Sequence, residues 1–94
     1  MKIFGFHLMP WPYLKPEDIS GSDSSWVTMS NALYDPVKGH QLYDTYFRQL
    51  VMYDEVGFDG ISVNEHHQTA YGLMPSANMT AAMLLSQVKG TVAL

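Results

Sequence analysis

The stretch Gly60-Ile61-Ser62-Val63-Asn64-Glu65-His66-His67-Gln68-Thr69-Ala70-Tyr71-Gly72-Leu73 decides how this chain is read. Gly60 to Asn64 is short and apolar, as a buried strand must be, and it gives way at once to an acid and two imidazoles. The end of a parallel strand is where an α/β protein aims side chains into a pocket without burying polar backbone. Histidine is the side chain whose unperturbed pKa lets it act as acid or base near neutrality. One segment therefore fixes a strand and locates the candidate chemistry at its exit.

Working outward, Asp59-Gly60 is the turn before this strand, and Gly57 supplies a left-handed helix cap with Phe58 placed to fold back on the last turn. Leu42, Tyr46, Leu50 and Tyr53, flanked by Tyr43, Phe47 and Val51, recur at helical spacing. Asp35-Pro36 is an N-cap followed by proline at the first helical position. The pattern predicts a helix from Pro36 to Val56. Before it, Pro10 to Pro36 carries Pro, Gly, Ser and Asp clusters with no sustained period. A connection that long without regular structure is characteristic of lids and binding loops. Lys2 to Leu8, closed by Pro10 and Pro12, reads as the first strand.

Downstream, His66 to Met74 is a loop, and Pro75-Ser76 opens a second helix that runs to Gly90. Met79, Ala82, Met83 and Ser86 share one side of it and Leu84, Leu85 and Val88 another, which predicts burial against more than one neighbour. Thr91 to Leu94 reads as a third strand in which the sequence stops. Strand, helix, strand, helix, strand is the pattern of a parallel sheet in the α/β class. Periodicity alone leaves open whether that sheet is open or closed. A closed barrel of eight such units needs roughly 250 residues, so residues 1–94 would form one partial domain, the first two βα units and the start of the third strand.

Composition narrows the function. Hydrophobic residues make up 47% and charged residues 15% of the chain, which places it with core-forming chains and not with disordered ones. The net charge is −4, and Lys2, Lys15, Lys38, Arg48 and Lys89 are scattered, so no basic stripe follows a phosphate backbone and nucleic acid is not an expected partner. There is no cysteine, hence no disulfide or thiolate metal site within these residues. The apolar start is interrupted by His7, Pro10 and Pro12, and no apolar run reaches the ~18 residues of a bilayer span. A soluble, cytoplasmic protein without membrane association is the expectation.

Alternation along the second strand puts Ile61, Val63 and Glu65 on one side and Ser62 and Asn64 on the other. Glu65 and His66 then project near the strand exit, where a carboxylate in contact with an imidazole would fix its tautomer. The alternative for His66 is an ordinary hydrogen-bonded histidine. The doublet His66-His67 is no metal signature, because consecutive residues point apart and no further ligand spacing accompanies it. His7, near the end of the first strand, could line the same pocket or sit satisfied in the core. Trp11, Trp26, Tyr34 and Tyr71 could wall a planar ligand or simply anchor their loops. Glycine-rich nucleotide motifs and the G-x-S-x-G elbow are absent, so dinucleotide, nucleotide-hydrolase and serine-hydrolase readings lack support.

Taken together, Phe6-His7-Leu8-Met9-Pro10, Gly57-Phe58-Asp59-Gly60, Asn64 to Leu73 and the helix start from Pro75 to Ala82 resemble the amino-terminal part of the bacterial luciferase-like family of flavin-dependent monooxygenases. The resemblance spans nearly the whole chain; its E-H-H-x-T-x-x-G-L portion is specific, while G-F-D-G occurs in many βα units. It implies a (β/α)8 barrel that binds reduced FMN, or in some branches the deazaflavin F420, at the carboxyl-terminal mouth. By position it makes His66 the catalytic base and sets Glu65 beside the flavin ring; His7, Asn64, His67 and Tyr71 are the candidates for lining a substrate pocket. It implies an organic substrate, molecular oxygen, a flavin reductase as supplier of reduced flavin, and a dimer through the second helix, where Ala77, Ala81 and Ala82 permit close approach. The chemistry requires a dry, covered pocket, to which Pro10 to Pro36 is placed to contribute. The same family includes non-catalytic partner subunits, and a metal-dependent barrel hydrolase is the reading from outside it. Residues 1–94 alone, with open sheet edges and an exposed apolar interior, are expected to show no turnover.

Overall fold

The computed structural model describes residues 1–93. Its elements run β1 (Phe4–Phe6), α1 (Pro16–Ser20), a 3-10 turn (Asn31–Leu33), α2 (Pro36–Glu55), β2 (Gly60–Ser62), α3 (Ala77–Leu85) and β3 (Thr91–Ala93). The three strands form one parallel sheet in the order β1-β2-β3, with Gly5 paired to Ile61 and Ile61 to Val92. The fold is therefore mixed α/β with a parallel sheet, and each consecutive pair of strands is joined through a helix.

The helix boundaries follow from their caps. Asp35 accepts the N–H groups of Val37 and Lys38 at 2.9 and 3.2 Å, and Pro36 occupies the first position, where no donor is needed. At the other end Gly57 takes φ +90°, the N–H of Phe58 bonds the Tyr53 carbonyl, and the two rings meet at 5.0 Å. This is a Schellman termination with its hydrophobic contact. Helix α3 is shorter than its periodicity suggests. The Leu84 carbonyl takes the N–H groups of both Gln87 and Val88, and the Asp54 carboxylate then captures those of Lys89 and Gly90, turning the chain into β3. Leu94, the last residue of the expected third strand, lies outside the described residues.

Both long helices cover one face of the sheet. Tyr53 lies directly over Gly5, where a side chain would collide with the ring, and Leu50, Ile61, Leu84 and Met74 are fully buried between the layers. Alternation sends Phe4 and Phe6 to the other face, where they are 43% and 52% exposed. The second long helix packs against two neighbours, α2 and β3, as expected, but only one of its two apolar sides is buried. Thr80 and Leu84 are buried and Ala77, Ala81 and Val88 partly so, while Met79, Met83 and Leu85 stand in solvent. Its outward side meets no second layer among the described residues.

The segment from Pro10 to Pro36 is more ordered than its composition suggests, since it contains α1 and the 3-10 turn. It is pinned to the body at several points. The Tyr46 hydroxyl donates to the Pro10 carbonyl at 2.6 Å, Trp11 and Met29 are buried, and Pro10 bridges to Gly72. The 65–74 loop is held from the same side, with Leu73 N–H bonded to the Met9 carbonyl at 2.7 Å.

Candidate functional site

Strand β2 ends at Ser62, and the residues that follow leave the carboxyl-terminal edge of the sheet. Two bonds to Met74 hold them: the Asn64 N–H to the thioether sulfur at 3.1 Å and the His66 N–H to the carbonyl at 2.9 Å. Side chains then separate by alternation. Glu65 and His67 share the side facing α3, and His66 between them turns the other way.

This division corrects one expectation. The carboxylate of Glu65 does not engage His66; its Oε1 accepts from Nε2 of His67 at 2.6 Å and its Oε2 from the backbone N–H of Ala77 at 3.0 Å. Residues two apart in extended chain meet, and neighbours do not. The Ala77 amide, and after it the His67 ring, holds the Glu65 carboxyl below the usual glutamate range. Ala77 is the first residue of α3, so Glu65 completes the capping that Ser76 begins through Met79 N–H. The side chain keeps 43% of its surface in water.

His66 acquires its tautomer from a different group. Its Nδ1 lies 2.8 Å from the Glu65 carbonyl oxygen, which can only accept, so Nδ1 donates there and Nε2 is left outside that bond. The ring is backed by Gly72, where a Cβ would come within 2.8 Å of His66 Cδ2. On its open side lie two aromatic rings. Trp26 is nearly parallel to it at 6.0 Å and 21°, Tyr71 is 5.7 Å away, and Trp26 and Tyr71 are 5.8 Å apart. The long loop thus brings an indole over the histidine across forty residues of sequence.

The remaining candidates divide. Asn64 lies two residues before His66, and its side-chain oxygen and nitrogen are both buried with no hydrogen-bond partner among the described residues. His7 is not brought to this cluster. Its Nδ1 accepts the Met9 N–H at 2.8 Å, its Nε2 donates to Gln49 of α2 at 2.8 Å, and its ring rests on Tyr46 at 4.7 Å. Odd positions of β1 face the helices, as Gly5 does, and His7 follows that row. It supports the buried Met9, which holds a left-handed φ of 47°. Trp11 and Tyr34 form a separate contact at 5.1 Å that anchors the Pro10 to Pro36 segment.

Sequence reasoning named Trp26 and Tyr71 as possible walls without joining them to His66, and it missed Gly72. The signal for Gly72 is its place in the loop between two residues that must pack inward, Tyr71 and Leu73. A groove of about 590 Å³ lies elsewhere, between α2 and α3, lined by Tyr43, Phe47, Met79 and Met83 among others. No three His, Asp or Glu side chains converge as a metal site among the described residues. No helix among them is long and apolar enough to cross a membrane. No protein-family model, no curated protein and no solved structure matches this chain.

Proposed function

We propose that this chain is the amino-terminal part of a luciferase-like, flavin-dependent monooxygenase built on a (β/α)8 barrel, with His66 as its proton-handling residue. The single observation that carries the reading is the 2.8 Å bond that holds His66 Nδ1 to the Glu65 carbonyl, which leaves Nε2 as the ring nitrogen outside that bond at the carboxyl-terminal edge of a parallel sheet. The uncovered face bearing Phe4 and Phe6 is the side such a barrel would enclose. The chemistry of the donor set suits a planar conjugated group: three rings surround one position, and the amide of Asn64 is buried without a partner.

Reduced FMN, delivered by a flavin reductase, would supply the reaction with molecular oxygen when bound. The residues of this chain do the rest. His66 Nε2 takes a proton from, or returns it to, the organic substrate. The Glu65 carbonyl keeps the ring from turning, and Trp26 and Tyr71 exclude water from its open side. Glu65 sets the start of α3 and presents its exposed carboxylate edge near the same rim. The proposal extends to a cytoplasmic protein that dimerises through the α3 side.

The test is a protein in which this chain is completed by its remaining strands, titrated with reduced FMN and with reduced F420 and assayed for oxygenated product. The reading expects FMN-dependent product that falls by at least ~100-fold in His66→Asn, the usual scale for losing a general base. Unchanged turnover in His66→Asn would mark a partner subunit. Tight binding of the deazaflavin alone would move the chain to the F420-dependent branch, and stoichiometric metal on purification would move it to a hydrolase.

A further inference from the structure

We propose that His7 is the positioning residue of His66: it acts on that ring through the backbone of Met9 and Gly72, and it makes α2 the support against which the imidazole is held. The inference rests on the reading of His66 given above and assigns His7 no contact with a substrate.

The chain of contacts starts on α2. Tyr46 and Gln49 are three residues apart and so stand on one face of the helix. The His7 ring rests on Tyr46 at 4.7 Å, and its Nε2 bonds Gln49 Oε1 at 2.8 Å. With the ring held in this way, Nδ1 accepts the Met9 N–H at 2.8 Å. Met9 depends on that bond. Its φ of 47° is a left-handed conformation that disfavours any residue with a side chain, and its own side chain is fully buried. Such a conformation persists only while its surroundings over-determine it.

The turn at Met9 is where the exit of β1 meets the 65–74 loop. The Met9 carbonyl accepts the Leu73 N–H at 2.7 Å, and Pro10 bridges to Gly72 in antiparallel sense. Gly72 in turn lies against the His66 ring, where a Cβ would come within 2.8 Å of Cδ2. A change of the Met9 dihedral therefore redirects the carbonyl that holds Leu73 and shifts the wall behind His66. The bonds that His66 makes itself, to the Glu65 and Met74 carbonyls, lie inside the 65–74 segment and do not tie it to β1. The requirement thus falls on one atom, an acceptor in the place of His7 Nδ1. Asparagine carries its Oδ1 the same number of bonds from Cα, whereas glutamine reproduces the reach of Nε2 and leaves the place of Nδ1 without an acceptor.

The experiment reads the ring protons of His66 in the proton NMR spectrum of the full chain, assigned by their absence in His66→Asn. Ring currents of Trp26 and Tyr71, at 6.0 and 5.7 Å, should displace these resonances from their positions in the urea-unfolded chain. His7→Gln should abolish most of the displacement and His7→Asn should retain it, although both remove the imidazole from Tyr46. A merely structural role would make the two variants alike. Gln49→Leu, at an exposed position of α2, frees the outer nitrogen of His7 and should move the resonances in the same direction by less. It decides the matter where His7→Gln does not fold. Resonances at the unfolded position in the wild type, resonances unmoved by His7→Gln and Gln49→Leu, or equal loss in His7→Asn and His7→Gln overturn the proposal. His66-dependent turnover in the completed barrel, with resonances indifferent to His7, would keep the proposed function and remove this link. Resonances that follow His7 without flavin-dependent turnover would do the reverse.

Discussion

Glu65 and Ala77, twelve residues apart in sequence, are joined by a 3.0 Å hydrogen bond from the Ala77 N–H to the Glu65 carboxylate. The bond ties the exit of β2 to the first turn of α3, and Oε1 of the same carboxylate holds His67. Folding therefore favours the ionised form, and the folded-state pKa of Glu65 lies below its unfolded value. Such a group adds stability above the unfolded pKa of about 4.3. The contribution fades as pH falls through the lower folded value. Urea midpoints of wild type and Glu65→Gln should differ near neutrality and converge as pH drops below about 4. A gap that stays constant down the titration would mean the carboxylate charge is not used.

Gly72 is required by the His66 ring and not by its own backbone. An added Cβ would meet ring atoms at 2.8 and 3.2 Å, too close for either to stay. Gly72→Ala should leave the far-ultraviolet circular dichroism intact while changing Trp26 fluorescence, because His66 is pushed toward the indole. Stability should fall by roughly 1–3 kcal/mol, the range for overfilling a packed site. An unaltered Trp26 emission spectrum would show that the ring does not rest where the structure puts it.

Tyr46 anchors the Pro10 to Pro36 segment at its root through the 2.6 Å bond to the Pro10 carbonyl. Burial, with Tyr13 nearby, raises the phenol above its ordinary range, so it remains a donor well past neutral pH. Tyr46→Phe keeps the ring and removes only that donor. The expected loss is about 1 kcal/mol, or a drop in Tm of roughly 5 °C for a chain of this size. Proteolysis should also begin within the Pro10 to Pro36 segment in the variant. Cleavage rates identical to wild type would place the anchor elsewhere.

Gln68 holds φ at 64° on an exposed bend, a left-handed conformation that costs a side-chain-bearing residue roughly 1–2 kcal/mol. Gln68→Gly relieves this at the expense of a freer unfolded chain, so the net gain should be roughly 0.5 kcal/mol. Thermal denaturation reads it as a small rise in Tm; a fall would show that the Gln68 side chain makes a contact worth more than the strain.

The order of the strands and the two long helices was legible because each boundary is written locally. Asp35-Pro36 starts α2, Gly57 with Phe58 ends it, and Ser76 starts α3. The destinations of the side chains at the strand exit were not. Adjacent Glu65 and His66 suggest a pair, but which imidazole the carboxylate meets depends on where α3 begins, and that is a tertiary fact. His7 could have been placed from sequence, since Gly5 with no side chain marks the row that lies under a bulky helix residue. The stacking of Trp26 on His66 had no local sign, because it depends on the path of a loop whose turns are fixed by scattered bonds.

The inversion along β1 has a further consequence. Its one residue without a side chain, Gly5, faces the helices, and its two phenylalanines face water, so in cross-section the molecule is a plate with one oily side. A plate of that kind has colloidal properties that depend on dilution: sparse samples stay dispersed, while crowding presses the phenyl-bearing sides against one another. Replacing Phe4 and Phe6 with threonine, which suits an extended backbone and tolerates solvent, would shift that onset to higher concentration and leave the helix-covered layer as it is.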